Sequence, residues 1–511
     1  MRDKGTVQGE GPGNFRSVAA KGMAFIALGQ AIKLLVHLTA IVVLSRLLGP
    51  SEFGVFAMIS PLLALAAIVR DGGLTSAVLQ RQSIADSELT ALFWISLVWG
   101  IGLAALLSLL APLIAGFYNE PRLTPLVVAS SVIVIAGSLS LQHMSLLNRA
   151  LRFRTLAAID AGSLTLGYLV GGCVAMITKS YWALWAVNCT TALAIAAASW
   201  TACRWRPGRP RYGGGINDIL RVGGNVTLSG LFDFLIRSVD GILIGRFRGG
   251  FELGLYSRSY RIVLLPLIFV SAPLDRLVLP SLVRMQGDRD RYRKVYRLAL
   301  QAPLLAIMPS MVIIMAAPEP VCLLLLGKSW IAAAPMLAWL AIAGSLQLVT
   351  SSLNSLLISQ ARASELTALN AFSFVFACAA FAIGLPFGAQ GVAAAYAVSE
   401  ILRSPISVWW ATRIGPVRTN DVARTTAPFV VSALVVFAAI SWMARQLPDQ
   451  PVLLLVVSVT VSYAMTVSML LLSATGRQCL KEGVRMAVEV SAPSIDSEKN
   501  SWLRRRLATF R

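Results

Sequence analysis

The sequence contains 511 residues, of which 56% are hydrophobic and only 14% are charged, and its mean hydropathy is +0.71. This apolar content recurs along the whole chain, which excludes a soluble globular protein and is typical of a membrane protein with many spans. The formal net charge of +21 does not require nucleic acid, because basic cytoplasmic loops and anionic lipids account for such a charge in a membrane protein. The six cysteines lack metal-binding spacing, so no metal site is expected.

Apolar segments bounded by proline, glycine and charged residues predict an all-α fold with fourteen membrane-spanning helices. In chain order they cover residues 22–45, 52–70, 88–116, 124–147, 155–178, 181–203, 221–245, 254–283, 297–317, 331–359, 365–386, 389–411, 425–445 and 451–473. With the N-terminus in the cytoplasm, 32 of the 45 Lys and Arg residues fall in cytoplasmic segments and seven in periplasmic loops. This bias predicts that both termini are cytoplasmic.

The order of the helices predicts two lobes of six helices, followed by two further helices. The segments are a cytoplasmic N-terminal segment (1–21), an N-lobe (22–203), a basic cytoplasmic linker (204–220), a C-lobe (221–411), helices 13 and 14 (425–473) and a basic cytoplasmic tail (474–511). We expect the tail to lie on anionic membrane lipids.

A short motif recurs two hundred residues later without a gap. Its matching positions are Arg46 and Arg246, Gly49 and Gly249, Glu52 and Glu252, and Gly54 and Gly254. Because an even number of helices separates the copies, both lobes have the same orientation, as in transporters built from parallel repeats. We expect the motif to form periplasmic turns that hold each half together, with Glu52 capping the helix that follows.

Polar stripes on the first helices of the two lobes predict a cavity between them, because a charge facing lipid costs about 2.5 kcal/mol or more. The stripe on helix 1 contains Gln30, Lys33 and His37, and the stripe on helix 7 contains Asn225, Ser229, Asp233, Arg237 and Asp240. The repeat offset sets Lys33 against Asp233 and His37 against Arg237. An alternative is that Asp233 and Arg237 form a salt bridge within their own helix.

Helices 8 and 10 add further polar side chains to this predicted cavity. The candidate substrate-binding residues are Gln30, Lys33, Arg237, Arg258, Arg261 and Asn354, and the candidate coupling or gating residues are His37, Asp233 and Asp240. The cationic balance suits an anionic substrate, and Arg favours bidentate contact with phosphate. His37 is a candidate for proton coupling or a hydrogen-bonding core residue. We expect no catalytic residue and no cofactor, with coupling to a H⁺ or Na⁺ gradient left open.

The first copy of the motif also carries a family resemblance. The stretch Leu44-Ser-Arg-Leu-Leu-Gly-Pro-Ser-Glu-Phe-Gly54, followed by Gly72-Gly73-Leu74 and Ala77, resembles the signature of the polysaccharide transporter branch of the multidrug/oligosaccharidyl-lipid/polysaccharide exporter superfamily. Over roughly residues 15–475 the chain is similar to Wzx-type flippases of the colanic-acid and succinoglycan kind.

This resemblance implies alternating access between two lobes in the bacterial inner membrane. The implied substrate is an oligosaccharide repeat unit linked to undecaprenyl pyrophosphate, moved from the cytoplasmic to the periplasmic leaflet. A polysaccharide polymerase and a chain-length regulator are the implied protein partners.

Two other classes of protein remain as alternatives. A cation-coupled multidrug or metabolite antiporter of the same superfamily would favour an acidic cavity, whereas the predicted cavity is basic. A membrane enzyme, such as a polysaccharide polymerase, would need a large extramembrane loop, whereas the longest predicted periplasmic loop has about 13 residues. The sequence therefore favours a transporter over an enzyme.

Overall fold

The fold is given by a computed structural model that describes residues 29, 32–75, 78, 84–209, 216–446, 450–472 and 476–477. Every regular element in these residues is helical, which confirms the predicted all-α fold. The first half contains α1 (32–47), α2 (Pro50–Asp71), α3 (Asp86–Tyr118), α4 (Leu123–Arg149), α5 (Phe153–Thr178) and α6 (Trp182–Ala202).

The second half opens with a helical run, Ile216–Arg284, that Gly249 interrupts at φ 79° and ψ −176°. We call its two parts α7 (216–248) and α8 (250–284). The next helices are α9 (Arg289–Ala316), the short α10 (Pro318–Leu325), α11 (Ala334–Ser359), α12 (Ala363–Gly384) and α13 (Gly388–Thr412), followed by α14 (Thr419–Gln446) and α15 (Pro451–Leu472). Helix α7 thus begins inside the segment predicted as a linker.

Eleven helical segments in the described part of the chain are long and apolar enough to cross a membrane. Two of these segments, Ser238–Val270 and Ala363–Thr412, each contain two helices, with breaks at Gly249 and at Leu385–Phe387. The first helix is described only over 32–47. The chain is therefore a multi-pass membrane protein, and the number of fourteen spans stays a prediction.

The start and end of α2 show how the repeated motif shapes the backbone. Gly49 is the N-cap and Pro50 occupies the first turn, where its missing N–H has no helical partner to lose. Glu52 brings a negative charge to the same turn, which the helix dipole favours. At the other end Gly72 adopts a left-handed conformation with φ 52°, which stops the helix.

One hydrophobic core runs from α1 to α15 and joins the two halves. Trp330, which is fully buried before α11, links them directly. Its indole N–H donates to the carbonyl oxygen of Ser45 on α1 at 2.7 Å, and its ring meets Phe53 of α2 edge to face at 5.2 Å. A buried indole needs such an acceptor, so this contact fixes the second half against α1 and α2.

Candidate functional site

Two polar contacts join α1 to α5. The ammonium group of Lys33 forms an ion pair with Asp160 at 2.7 Å, and Nδ1 of His37 lies 2.9 Å from the hydroxyl of Tyr168. Lys33 and His37 are one helical turn apart, as the stripe on helix 1 predicts. Asp160 is absent from the sequence-based candidates, although it is the only acidic residue in the predicted span 155–178.

Helix α8 of the second half brings two arginines to the same region. Phe269 of α8 packs against the His37 ring at 6.3 Å, and Arg258 and Arg261 lie within electrostatic range of that ring. The region therefore draws on both halves of the chain. We refer to it as the interlobe polar cluster and define it by six residues: Lys33, His37, Asp160, Tyr168, Arg258 and Arg261.

The two arginines of the cluster have different surroundings. Arg258 donates from Nε to the Ser45 hydroxyl and from Nη2 to the Ile41 carbonyl, both at 3.0 Å, and its guanidinium lies 4.4 Å from the ring centre of Phe53. Arg258 thus ties α8 to α1 and α2. Arg261 is exposed, and among the described side chains it has no hydrogen bond or ion pair. It is the cation in the cluster with the most donors free for an anion.

Several predicted site residues cannot be placed in this cluster. Gln30 lies outside the described residues, and so do the side chains of Asp233 and Arg237, so the predicted pairing of α1 with α7 across the cavity stays a prediction. Asn354 is exposed on α11, and within the described part of the chain no hydrogen bond joins it to Lys33 or the arginines.

Asp240, the remaining candidate, belongs to a second polar region, which lies in the second half of the chain. Its carboxylate accepts hydrogen bonds from the Tyr256 hydroxyl at 2.9 Å and from the Gly241 backbone at 2.7 Å. Nearby, the amide of Gln347 donates to the hydroxyl of Tyr396 at 2.6 Å. These bonds satisfy polar groups inside α7, α8, α11 and α13.

Glu400 and Arg403 of α13 form a buried ion pair at 2.6 Å in which both carboxylate oxygens accept from the same guanidinium. Arg403 also donates to the hydroxyl of Ser373 on α12 at 2.6 Å. The pair therefore holds two neighbouring helices together.

The two copies of the repeated motif meet each other where α2 crosses α8. A methyl group added at Gly54 would overlap the carbonyl group of Gly250 and come within 2.8 Å of its Cα. Reciprocally, a methyl group at Gly254 would come within 2.7 Å of the carbonyl carbon of Pro50. Residue 54 meets residue 250, and residue 254 meets residue 50, which is the pattern that a two-fold relation between the copies would give.

The arginines of the two copies also reach across to the opposite half. Arg46 donates to the carbonyl of Leu324 in α10 at 3.0 Å, and the guanidinium of Arg246 lies 5.5 Å from the ring centre of Phe117 in α3. We expected the motif to hold each half together. The contacts of these arginines and glycines also join one half to the other, because the motif lies at the surface where the halves touch.

The repeated glutamates have matching roles at helix N-termini. The Glu52 carboxylate accepts from the backbone N–H of Tyr181 at the start of α6 at 2.8 Å, and Glu252 accepts from the N–H of Ala389 at the start of α13 at 2.6 Å. Glu52 therefore caps a distant helix, and not the one that follows it as predicted. A carboxylate at a helix N-terminus pairs an orphan N–H and complements the helix dipole.

A small ionic group next to Glu52 lies in the loop between α3 and α4. Arg122 donates to Glu52 at 3.2 Å and to Glu120 at 2.8 Å. The Arg122 hydrogen bonds hold the pKa of the Glu120 carboxyl below its usual value, against the opposing effect of partial burial.

This fold is that of a class of membrane transporters. The lipid II flippase MurJ in an inward closed conformation superposes on 87% of this chain and 98% of its own with a TM-score of 0.67 at 14% identity. An inward-facing multidrug resistance MATE family transporter of the MOP superfamily covers 78% of this chain and 96% of its own, with a TM-score of 0.58 at 16% identity.

Within that class, residues 43–335 match the family described as polysaccharide biosynthesis protein, and the chain belongs to this family. It is 24% identical over 402 residues to the lipopolysaccharide biosynthesis protein WzxC of Escherichia coli (strain K12), covering 77% of this chain and 81% of that protein. It is 26% identical over 306 residues to the succinoglycan biosynthesis transport protein ExoT of Rhizobium meliloti (strain 1021), covering 59% of this chain and 61% of ExoT. The family match confirms the predicted resemblance to polysaccharide biosynthesis proteins, and the solved transporters share the fold of this chain.

Proposed function

We propose that this chain is a flippase for an oligosaccharide repeat unit linked to undecaprenyl pyrophosphate, moving it from the cytoplasmic to the periplasmic leaflet of the bacterial inner membrane. The product would feed exopolysaccharide or O-antigen synthesis. The observation that carries the proposal is the interlobe polar cluster, in which Lys33, Arg258 and Arg261 accompany one described carboxylate, Asp160.

The chemistry of the cluster fits a pyrophosphate group. Guanidinium and ammonium groups form short, charge-assisted hydrogen bonds to phosphate oxygens, and a membrane interior of low dielectric strengthens them. Arg261 is exposed and would supply a planar set of donors, whereas Lys33 would supply a point charge. Arg258 would act mainly by keeping α8 against α1, since two of its nitrogen atoms already donate there.

The arrangement of helices also fits transport by rigid movement of two lobes. The cluster lies between α1, α5 and α8, and the repeated motif joins the lobes at a separate contact, α2 with α8. We propose that both termini lie in the cytoplasm, and that His37, Asp233 and Asp240 contribute to coupling with an ion gradient. A polysaccharide polymerase and a chain-length regulator are the proposed partners.

Gene deletion followed by complementation tests this function. In the deletion strain, labelled lipid-linked oligosaccharide should accumulate in the cytoplasmic leaflet, and the wild-type gene should restore export. The double variant Lys33→Ala/Arg261→Ala should insert into the membrane but fail to restore export. Arg289→Ala, which removes an exposed charge at the start of α9, is the matched control and should complement fully.

Two results would contradict the proposal. Full export by the Lys33→Ala/Arg261→Ala variant would show that the cationic cluster does not serve the substrate. Normal export of single units combined with an altered polymer length would instead support a role in polymerisation.

A further inference from the structure

We propose that Asp160 is a positioning residue that holds Lys33 in the empty transporter and is displaced from it by the anionic head group of the substrate. The proposal rests on the proposed function and adds a role for a residue outside the predicted site. Asp160 would act as an internal competitor, so that binding of a phosphate group breaks one ion pair while it forms another.

The geometry of the Lys33–Asp160 pair suits exchange. The pair has one short contact, 2.7 Å between Nζ and Oδ2, and the side chains are 21% and 39% exposed. The Glu400–Arg403 pair of α13 offers a contrast, since its side chains are 3% and 11% exposed and both carboxylate oxygens are bonded. Opening a buried two-point pair leaves an uncompensated charge, whereas an accessible one-point pair can exchange its anion at low cost.

The charge of the interlobe polar cluster gives the direction of the effect. Lys33, Arg258 and Arg261 supply three positive charges, and Asp160 supplies one negative charge, so the described cluster carries a surplus of two positive charges. A pyrophosphate diester carries about two negative charges, which this surplus neutralises. If Asp160 were removed, the surplus would become three, and the head group would be held more tightly and released more slowly.

A second contact keeps the helices together while the ion pair opens. His37 and Tyr168 form their own hydrogen bond between α1 and α5 at 2.9 Å. The packing of α1 on α5 therefore does not depend on Asp160 alone. This division lets the ammonium group of Lys33 turn towards a ligand without separation of the two helices.

The test uses the full-length protein in lipid nanodiscs, titrated with a short-chain polyprenyl diphosphate. Asp160→Asn should tighten binding about three- to five-fold, the range expected for removal of a partly exposed ion pair, and should lower the turnover of transport in proteoliposomes. Lys33→Ala should bind more weakly than the wild type, and Asp160→Asn should tighten binding less in the Lys33→Ala background than in the wild type, because the competitor acts mainly through Lys33. Inorganic pyrophosphate should show the same ranking, since the effect lies at the head group.

Tyr168→Phe is the matched control, because it removes the other α1–α5 contact without changing charge, and it should not tighten binding. If Asp160→Asn binds the diphosphate more weakly than the wild type, or equally, the competitor role is wrong and the pair is structural. If Asp160→Asn does not fold, the binding of the diphosphate to Asp160→Ser is measured instead and judged by the same outcomes. If the wild type binds no polyprenyl diphosphate, the proposed function itself fails, which separates the two conclusions.

Discussion

The glycine contact between α2 and α8 gives the sharpest prediction about the stability of this fold. Gly54→Ala places a methyl group against the backbone of Gly250, where Cβ would come within 2.8 Å of Cα, whereas ordinary contact begins at 3.4 Å. The two helices must therefore separate by at least about 0.6 Å, and by more to clear the carbonyl group. Backbone atoms cannot turn aside as a flexible side chain can, so the cost falls on the packing of one half against the other.

The size of the effect follows from two opposing contributions. Overpacking a well-packed contact costs about 1–3 kcal/mol. Alanine gains up to about 1 kcal/mol over glycine within a helix. Gly102→Ala is the matched control, because Gly102 lies in α3 and no atom lies within 4 Å of the added methyl group. Its free energy of unfolding therefore reports only the gain in helix propensity. The free energies of unfolding of the two variants should differ by about 1–3 kcal/mol.

Reversible unfolding of the purified protein in mixed micelles, followed by circular dichroism, measures this difference. Gly254→Ala should behave like Gly54→Ala, because its methyl group meets the backbone of Pro50 in the reciprocal contact. Free energies for Gly54→Ala and Gly102→Ala that agree within about 0.5 kcal/mol would refute the close helix crossing.

Three further predictions concern other contacts. Glu252→Gln removes a charged cap from α13 and should lower the free energy of unfolding by about 0.5–2 kcal/mol, measured by the same unfolding assay. Arg122 lowers the pKa of Glu120 in the folded protein. The ionised Glu120 carboxylate therefore stabilises the fold fully above its usual pKa of 4.5, and this stabilisation is lost as the pH falls through the lower pKa of the folded state. Glu120→Gln should remove up to about 1 kcal/mol of this pH dependence from the free energy of unfolding. Trp330→Phe loses the hydrogen bond to Ser45 and should cost about 1–3 kcal/mol in a thermal unfolding series.

The first and third of these predictions have a control in the same chain. Glu319→Gln removes an exposed carboxylate in the first turn of α10, and an equal effect at Glu252 would argue against the cap. Trp409→Phe changes an indole that is 57% exposed and should be nearly neutral, so a similar loss at both tryptophans would contradict the role of the buried bond. An unchanged pH profile in Glu120→Gln would show that the Arg122 contact adds no stability.

The sequence was sufficient for the helical class and for the expectation that the polar residues of α1 need partners. Lys33 and His37 stand out because charged and polar groups in an apolar helix need a partner, and both have one in the structure. The partner of Lys33 was missed because the repeat offset pointed to α7 and not to α5. Asp160 carried the same signal, an acidic residue inside an apolar span, but one-dimensional spacing does not show that α5 packs beside α1.

The roles of the repeated motif were harder to predict for a different reason. A glycine or glutamate in a loop signature is normally assigned a local turn or a local cap. Glu52 instead caps a helix that begins 130 residues later, at Trp182. Gly54 leaves no room for a side chain because the backbone of Gly250, in the other half, lies against it. Contacts between residues that lie far apart in the sequence leave no local sequence pattern. The equal spacing of the two copies was the only trace of them in the sequence.

The two glutamate caps have a mechanical consequence. Glu52 on α2 holds the first turn of α6, and Glu252 on α8 holds the first turn of α13, while α2 and α8 lie backbone against backbone. We therefore expect a tilt of α2 against α8 to move α6 and α13 as well, because one hydrogen bond ties each of these helices to the crossing. Substitutions at this crossing should therefore alter the movement of α6 and α13 without touching any charge in the interlobe polar cluster.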